Sequence, residues 1–232
     1  MDIHSDFATY DSIYGSVRRP THYNTSWDAA KFEVCCHKYA DLSDHTYGVS
    51  VLNDSKYGFA IHGNVMRLSM LRAPKAPDAN CDMGRHHIRY AIVGHKGGIS
   101  ADVVRAAQNF NHPLRVFSVS ADEEMSKLGN IRFNGPGNVV VSAIKRGEDD
   151  ADVSNGGLPV RSKVQSVIVR LYDSLGGKSN GTIVSDLAVK KVYRTNLLED
   201  DQEVMDFSVE GGQTRIPVTL RAFEISSFRL EV

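Results

Sequence analysis

Four charged side chains, Arg72, Asp78, Asp82 and Arg85, fall within one polar stretch of this chain. Guanidinium groups donate hydrogen bonds in pairs and carboxylates accept them in pairs, which is the chemistry that holds a hydroxyl-rich ligand. Pro74 and Pro77 lie among them. Each proline fixes its φ and removes an amide donor, so the segment from Arg72 to Arg85 reads as a loop. A loop of about fifteen residues inside a tight sheet is unusual and more often serves a function than a mere connection. A plainer use of the same charges is a local ion pair between Arg72 and Asp78, worth only ~0.2–1 kcal/mol if exposed.

Other chemistry-bearing residues have simpler readings. Cys81, His86 and His87 lie close together, as do Cys35, Cys36 and His37. Neither group has the CxxC or HxxxH spacing that sets ligands on one side of a metal, so buried thiols and surface imidazoles are expected. Gly177-Lys178-Ser179 ends like a phosphate-binding loop, but Tyr172 stands where the first glycine belongs and no helix follows. A hairpin turn is expected there. Asp149, Asp150 and Asp152 lack the ligand alternation and terminal glutamate of a calcium loop and read as a solvated turn. No nucleophile elbow can be recognised from spacing.

The elements that must position the loop are strands. Tyr47, Val49 and Val51 alternate with small residues, as do Tyr57, Phe59 and Ile61, and then Met66, Leu68 and Met70. A period of two marks half-buried strands. Asn53-Asp54-Ser55-Lys56 and His62-Gly63-Asn64 have hairpin chemistry, so an antiparallel meander is expected, resuming after the loop at Ile88, Tyr90 and Ile92. Upstream, Ile3, Ser5, Phe7 and Thr9 alternate from the start, as if the chain began inside a sheet. Phe32 to His37 reads as a strand leading into a turn at Asp41-Leu42-Ser43-Asp44.

Downstream, Ser100 is a helix N-cap, with Asp102 in the first turn and Val103, Ala107 and Phe110 at helical spacing, which predicts one short helix. Leu114 to Ser120 reads as a strand. Asn134-Gly135-Pro136-Gly137-Asn138 is the strongest breaker and sets the expected boundary between a domain over 1–133 and another over 134–232. Further strands are expected at Val139–Lys145, Val164–Tyr172, Thr182–Tyr193, Glu203–Val209, Arg215–Phe223 and Ser227–Val232. Short strands at regular intervals indicate antiparallel β-sandwiches. The fold class is therefore mainly β: one sandwich with one short helix, then a second, smaller sandwich.

The 232 residues suffice for one large or two ordinary domains. A net charge of −1 with scattered basic residues lacks the footprint of a nucleic-acid binder. No run of apolar residues is long enough to span a membrane, and Met1 to Asp6 resembles no secretion signal. Three cysteines, two of them adjacent, argue for reduced thiols.

The letters add a resemblance. RPTHYNTSWDAAKFEVCCHKYADLSD, followed by YGVSVLNDSKYGFAIHGNVMRLSMLRAPKAPDANCDMG, resembles the C-terminal β region of the class II α-mannosidases of glycoside hydrolase family 38, in the branch that includes the fungal vacuolar enzyme. AAQNFNHPL, VVVSAIKRGEDD, VIVRLYDSLGG and LRAFEISSFRLEV follow as landmarks in the same order, so the likeness runs from Ile3 to Val232.

The resemblance implies hydrolysis of terminal α-mannose from oligosaccharides with retention, one carboxylate attacking and a second serving as acid and then base. In such enzymes zinc and the nucleophile belong to a barrel that cannot be placed on this chain. No cofactor is therefore expected here, with zinc confined to that missing domain, and this chain alone is expected to be inactive. Its implied part is scaffold and cleft wall, with Arg72, Asp78, Asp82 and Arg85 near the substrate. The resemblance also implies a homo-oligomer, an oligosaccharide partner with neither nucleic acid nor membrane, and a cytoplasmic or vacuolar location. The alternative is a stand-alone carbohydrate-binding or oligomerisation sandwich without catalysis.

Overall fold

A computed structural model describes residues 2–116, 118, 130–154, 160 and 165–232. The chain forms two compact units, Met1–Arg115 and Val116–Val232. The division falls earlier than the glycine and proline stretch at Asn134, and the second unit is not the smaller. Ile131–Asn134 pairs with Ser179–Ser185, within the second unit.

The first unit contains β1 (Phe7–Ser12), β2 (Gly15–Pro20), α1 (Ser26–Ala30), β3 (Val34–Cys35), β4 (Tyr39–Ser43), β5 (Tyr47–Asn53), β6 (Gly58–His62), β7 (Val65–Ser69), β8 (Tyr90–Lys96) and α2 (Ala101–Asn111). One sheet runs in the order β2-β1-β4-β5-β8 and a second in the order β3-β6-β7. All their pairings are antiparallel. Between them lies a core of Ile3, Ala8, Tyr10, Cys36, Ala40, Leu42, Phe59 and Ile61. Ile3 is fully buried, yet it precedes the first strand, which begins at Phe7; its period-two pattern reflects core insertion and not sheet pairing.

The expected meander is only partly formed. The β6–β7 hairpin is present, turning at Gly63 with φ of 55°. The Asn53–Lys56 turn is not a hairpin, because it carries the chain from one sheet to the other. Asn53 is fully buried at this corner. Its amide donates to the His37 carbonyl at 2.6 Å, and its oxygen accepts from the backbone N–H groups of Ser55 and Lys56. The long loop after β7 returns the chain to the first sheet, where β8 pairs with β5.

Among the described residues two helices occur, where sequence spacing predicts one. α2 starts at the Ser100 cap as expected. α1 is missed by sequence spacing because it is five residues long with no buried face; a reciprocal capping box between Thr25 and Asp28 holds its first turn. Leu114 to Val116 form no strand, and the remainder of that expected strand lies largely outside the described residues.

The second unit contains β9 (Ile131–Asn134), β10 (Val139–Arg146), β11 (Ser166–Asp173), β12 (Ser179–Ser185), β13 (Lys191–Thr195), β14 (Asp201–Val204), β15 (Ser208–Glu210), β16 (Gln213–Leu220) and β17 (Ile225–Glu231). Its sheets run β10-β11-β17-β13-β14 and β15-β16-β12-β9. Val169, Leu171, Ile183, Val192, Ile216, Leu220 and Leu230 lie in the core between them. Thr182–Tyr193 and Glu203–Val209, each expected as one strand, are both split in two. The Gly176-Gly177 turn also changes sheet instead of closing a hairpin; buried Asp173 accepts from the N–H groups of Gly176 at 2.8 Å and Phe223 at 2.9 Å.

The acidic run at 149–152 is a turn whose Asp152 is exposed, but Asp150 is buried and Asp149 is drawn into an ion pair. Arg229, fully buried on β17, donates to Asp149 at 2.8 Å, to Asp201 at 3.2 Å, to Ser166 Oγ at 2.9 Å and to the Glu199 carbonyl at 2.7 Å. Asp150 is 2% exposed and accepts from the Ser166 N–H and hydroxyl and from Arg146. A guanidinium with no access to water requires such partners.

Candidate functional site

The three-stranded sheet of the first unit ends in an open groove of about 610 Å³. Glu33 precedes β3, Lys56 and Gly58 stand at the start of β6, and Ser69 ends β7, so one edge of the groove is fixed by the sheet. Arg72, Asp82 and His86 close it from the long loop, and Met70 and Leu71 add apolar surface. Gly58 leaves room for the Glu33 carboxylate: a Cβ there would lie 2.2 Å from Glu33 Oε1, so a larger residue would displace that side chain.

The loop is held by its own polar groups. Ala73 and Asp82 both adopt positive φ, at 46° and 56°. The Ala73 N–H donates to Asp82 Oδ2 at 3.3 Å, which pins the two ends of the loop together. The Asp82 carbonyl lies 2.8 Å from His86 Nε2. Asp78 closes an inner turn, accepting the Asn80 N–H at 2.9 Å on its side chain and the Cys81 N–H at 3.3 Å on its carbonyl.

Of the four residues expected from sequence, the structure brings Arg72 and Asp82 into the groove; neither Asp78 nor Arg85 lines it. Among the described residues, Arg72 and Asp78 form no ion pair. Glu33, Lys56 and His86 join the groove without having been singled out for it. His86 could have been found as the residue four after Asp82, while Glu33 comes from the segment before β3 and carries no local signal.

A second polar cluster lies on the five-stranded sheet. Asp41, expected in a turn, sits in β4 and is 1% exposed. It accepts from Ser43 Oγ at 2.7 Å, from Ser50 Oγ at 2.5 Å and from His95 Nε2 at 2.6 Å. The cross-strand register Asp41↔Ser50 and Gly48↔His95 aligns them on one face. The imidazole fills the space over Gly48, where a Cβ would lie 2.2 Å from His95 Cε1. The constellation is almost closed to water, with Asp41 at 1% and Ser50 at 0% exposure, and it ties β4, β5 and β8 together.

The cysteines are all free. Cys35 is exposed and Cys36 is buried, where burial first, then the nearby Asp11 carboxylate, pushes its thiol up to about 12. Among the described residues no three histidine, cysteine, aspartate or glutamate side chains are placed to hold a metal.

Comparison with known proteins decides the family. Residues 1–80 match the glycosyl hydrolases family 38 C-terminal domain, and residues 138–228 match the family 38 C-terminal beta sandwich domain. This chain is a C-terminal region of glycosyl hydrolase family 38. Alpha-mannosidase of Saccharomyces cerevisiae is 48% identical over 99% of the chain, and human alpha-mannosidase 2C1 is 35% identical over 98%. The chain spans only 22% and 21% of those two proteins. An alpha-mannosidase structure from Enterococcus faecalis shares the fold, with a TM-score of 0.70 at 15% identity over 98% of this chain and 24% of that one. The family 38 region described here contains no helix, among its described residues, long and apolar enough to cross a membrane.

Proposed function

We propose that the chain serves as the C-terminal scaffold and cleft wall of an α-mannosidase that removes terminal α-mannose from oligosaccharides. The observation that carries this reading is the end-to-end likeness to the yeast protein, at 48% identity over 99% of the chain. The groove at the base of the long loop gives the reading a place. Arg72 presents a planar donor pair, and Asp82 and Glu33 present acceptors, the complement of vicinal sugar hydroxyls. Met70 and Leu71 offer apolar surface to a sugar ring.

The described side chains do not fit a zinc ion. The chain's own residues therefore bind and orient substrate, and the metal and nucleophile come from the rest of a longer enzyme. Alone, the chain hydrolyses no aryl α-mannoside and binds no stoichiometric zinc. The longer enzyme is a homo-oligomer of the cytosol or vacuole.

The test is a chimera in which this chain replaces the matched region of the yeast α-mannosidase. Arg72→Ala or Asp82→Ala in an active chimera should lower kcat/KM on a mannobiose by about tenfold or more, equivalent to ~1.4 kcal/mol of transition-state binding, with little change in Tm. The core change Leu42→Ala should lower Tm and leave kcat/KM at the assay temperature intact. Parental kinetics in both groove variants would remove the groove from the substrate site.

A further inference from the structure

Among the described residues, the core face of the first unit's larger sheet is left uncovered at β8. β8 is the terminal strand of the five-stranded sheet and β7 the terminal strand of the three-stranded sheet. Register partners in an antiparallel pair point to the same face, so Ile92, opposite Val51, belongs to the core face. Val51 packs against the core, but Ile92 is 70% exposed. Gly94, opposite Val49 on the same face, has nothing within 4 Å of the position a Cβ would take. On the facing sheet Met66 and Leu68 are only half-buried, and Met70 and Leu71 beyond them are exposed. The apolar interior thus continues past its own cover.

The edge itself is unguarded. Exposed strand edges are ordinarily protected by charge, proline, bulges or brevity. The other terminal strands among the described residues follow that rule. β2 carries Arg18, Arg19 and Pro20, β14 carries Asp201 and Glu203, β10 is bulged between Val141 and Ala143, and β7 carries Arg67. β3, β15 and β9 are two, three and four residues long. β8 is seven residues, pairs with β5 without a register break, and carries no charged residue before its last position other than His95, which is bound to Asp41.

We propose that the β8 edge, with Ile92 exposed beside it on the core face, is a strand-addition surface, occupied by an extended apolar segment from the remaining polypeptide of the longer enzyme. The occupant follows from length. The chain is matched over 98–99% of itself, while about four-fifths of each of those two relatives lies outside the match. An uncovered strand edge in a region that accompanies so much further polypeptide is complementary to part of it: backbone groups of β8 supply the pairing, and the core face at Ile92 and Gly94 takes alternate side chains. The inference rests on the reading that the chain works inside such an enzyme.

Hydrogen exchange on the yeast chimera and on this chain alone, diluted until light scattering gives the protomer mass, tests it. In an active chimera the outward amides of β8 should be protected at every concentration, whereas in the diluted chain they should exchange freely while those of β5 stay protected. Ile92→Asp should lower the chimera's Tm by about 4 °C or more and leave the chain within about 1 °C. If the chain alone does not hold its fold, as unprotected β5 amides would reveal, the chimera's response to Ile92→Asp decides. Free exchange of β8 in an active chimera, an unchanged Tm on Ile92→Asp, or protection that disappears on dilution, as for a second copy, would each overturn the proposal. A chimera without any activity would instead sink the functional reading.

Discussion

Asp41 is the side chain on which the polar face of the first sheet depends. It receives hydrogen bonds from Ser43, Ser50 and His95 in a site almost closed to water, so each donor offsets part of the cost of burying a carboxylate. Asp41→Ala leaves His95 and two hydroxyls without their acceptor, and a loss of roughly 3–5 kcal/mol is expected in the denaturant midpoint. Ser50→Ala removes one donor and should cost about 1–3 kcal/mol. A Ser50→Ala loss as large as that of Asp41→Ala would show that the hydroxyl, not the charge, organises the cluster. The adjacent thiols give a second check. Cys35 is exposed, and Cys36 is buried with its thiol raised to about 12. At pH 8 a thiol reagent should modify Cys35 rapidly, Cys81 more slowly, and Cys36 only on unfolding, when all three titrate; rapid native labelling of Cys36 would contradict the packing of the first core.

At the scale of elements, the corners of the sandwiches separate what the sequence could announce from what it could not. Alternation located β5, β6, β7 and β8, the spacing of turns located β10, β11, β16 and β17, and Ser100 located the start of α2, because these signals are local. At Asn53 and Asp173 the local letters correctly announced a turn but not its destination. A turn's own hydrogen bonds fix only a change of direction, whereas the sheet that the next strand joins depends on partners far along the chain. The same limit applies to the site: Arg72 and Asp82 were legible as members of one polar loop, but Glu33 reaches the groove from the distant segment before β3, and nothing near it in sequence says so. Arg229 is the extreme case. Within FEISSFRLEV it reads as one more surface charge of an alternating strand, yet it is fully buried and joins the 149–150 turn to β14 and β17. Arg229→Met would leave Asp149 and Asp201 without their cation, and a loss of about 3–5 kcal/mol is expected in the second unit's denaturant transition. Arg229→Lys should recover only part of it, since a lysine cannot reproduce the guanidinium fork. Equal stability of Met and parental proteins would mean that shape, not charge, fills the site.

Taken as a whole, the chain has two satisfied cores and one unfinished boundary. That boundary is not at β1, since Ile3 is buried and β1 is flanked on both sides by β2 and β4. The unfinished boundary is β8, which is the terminal strand of its sheet among the described residues and whose Ile92 side chain is exposed. In isolation nothing prevents that edge from pairing with whatever strand is available, and the most concentrated source is another copy of the chain. The protein alone should therefore show an apparent mass in light scattering that rises with concentration. Ile92→Asp should return it to a concentration-independent protomer mass, because an inward-pointing charge on an edge opposes pairing. Val17→Asp, a comparable exposed apolar change on the arginine-guarded β2 edge, should leave the association unchanged. Association that survives Ile92→Asp and disappears with Val17→Asp would place the contact at the opposite edge of the sheet, and a monodisperse parental chain at high concentration would show that the β8 edge is protected by some feature of the chain itself.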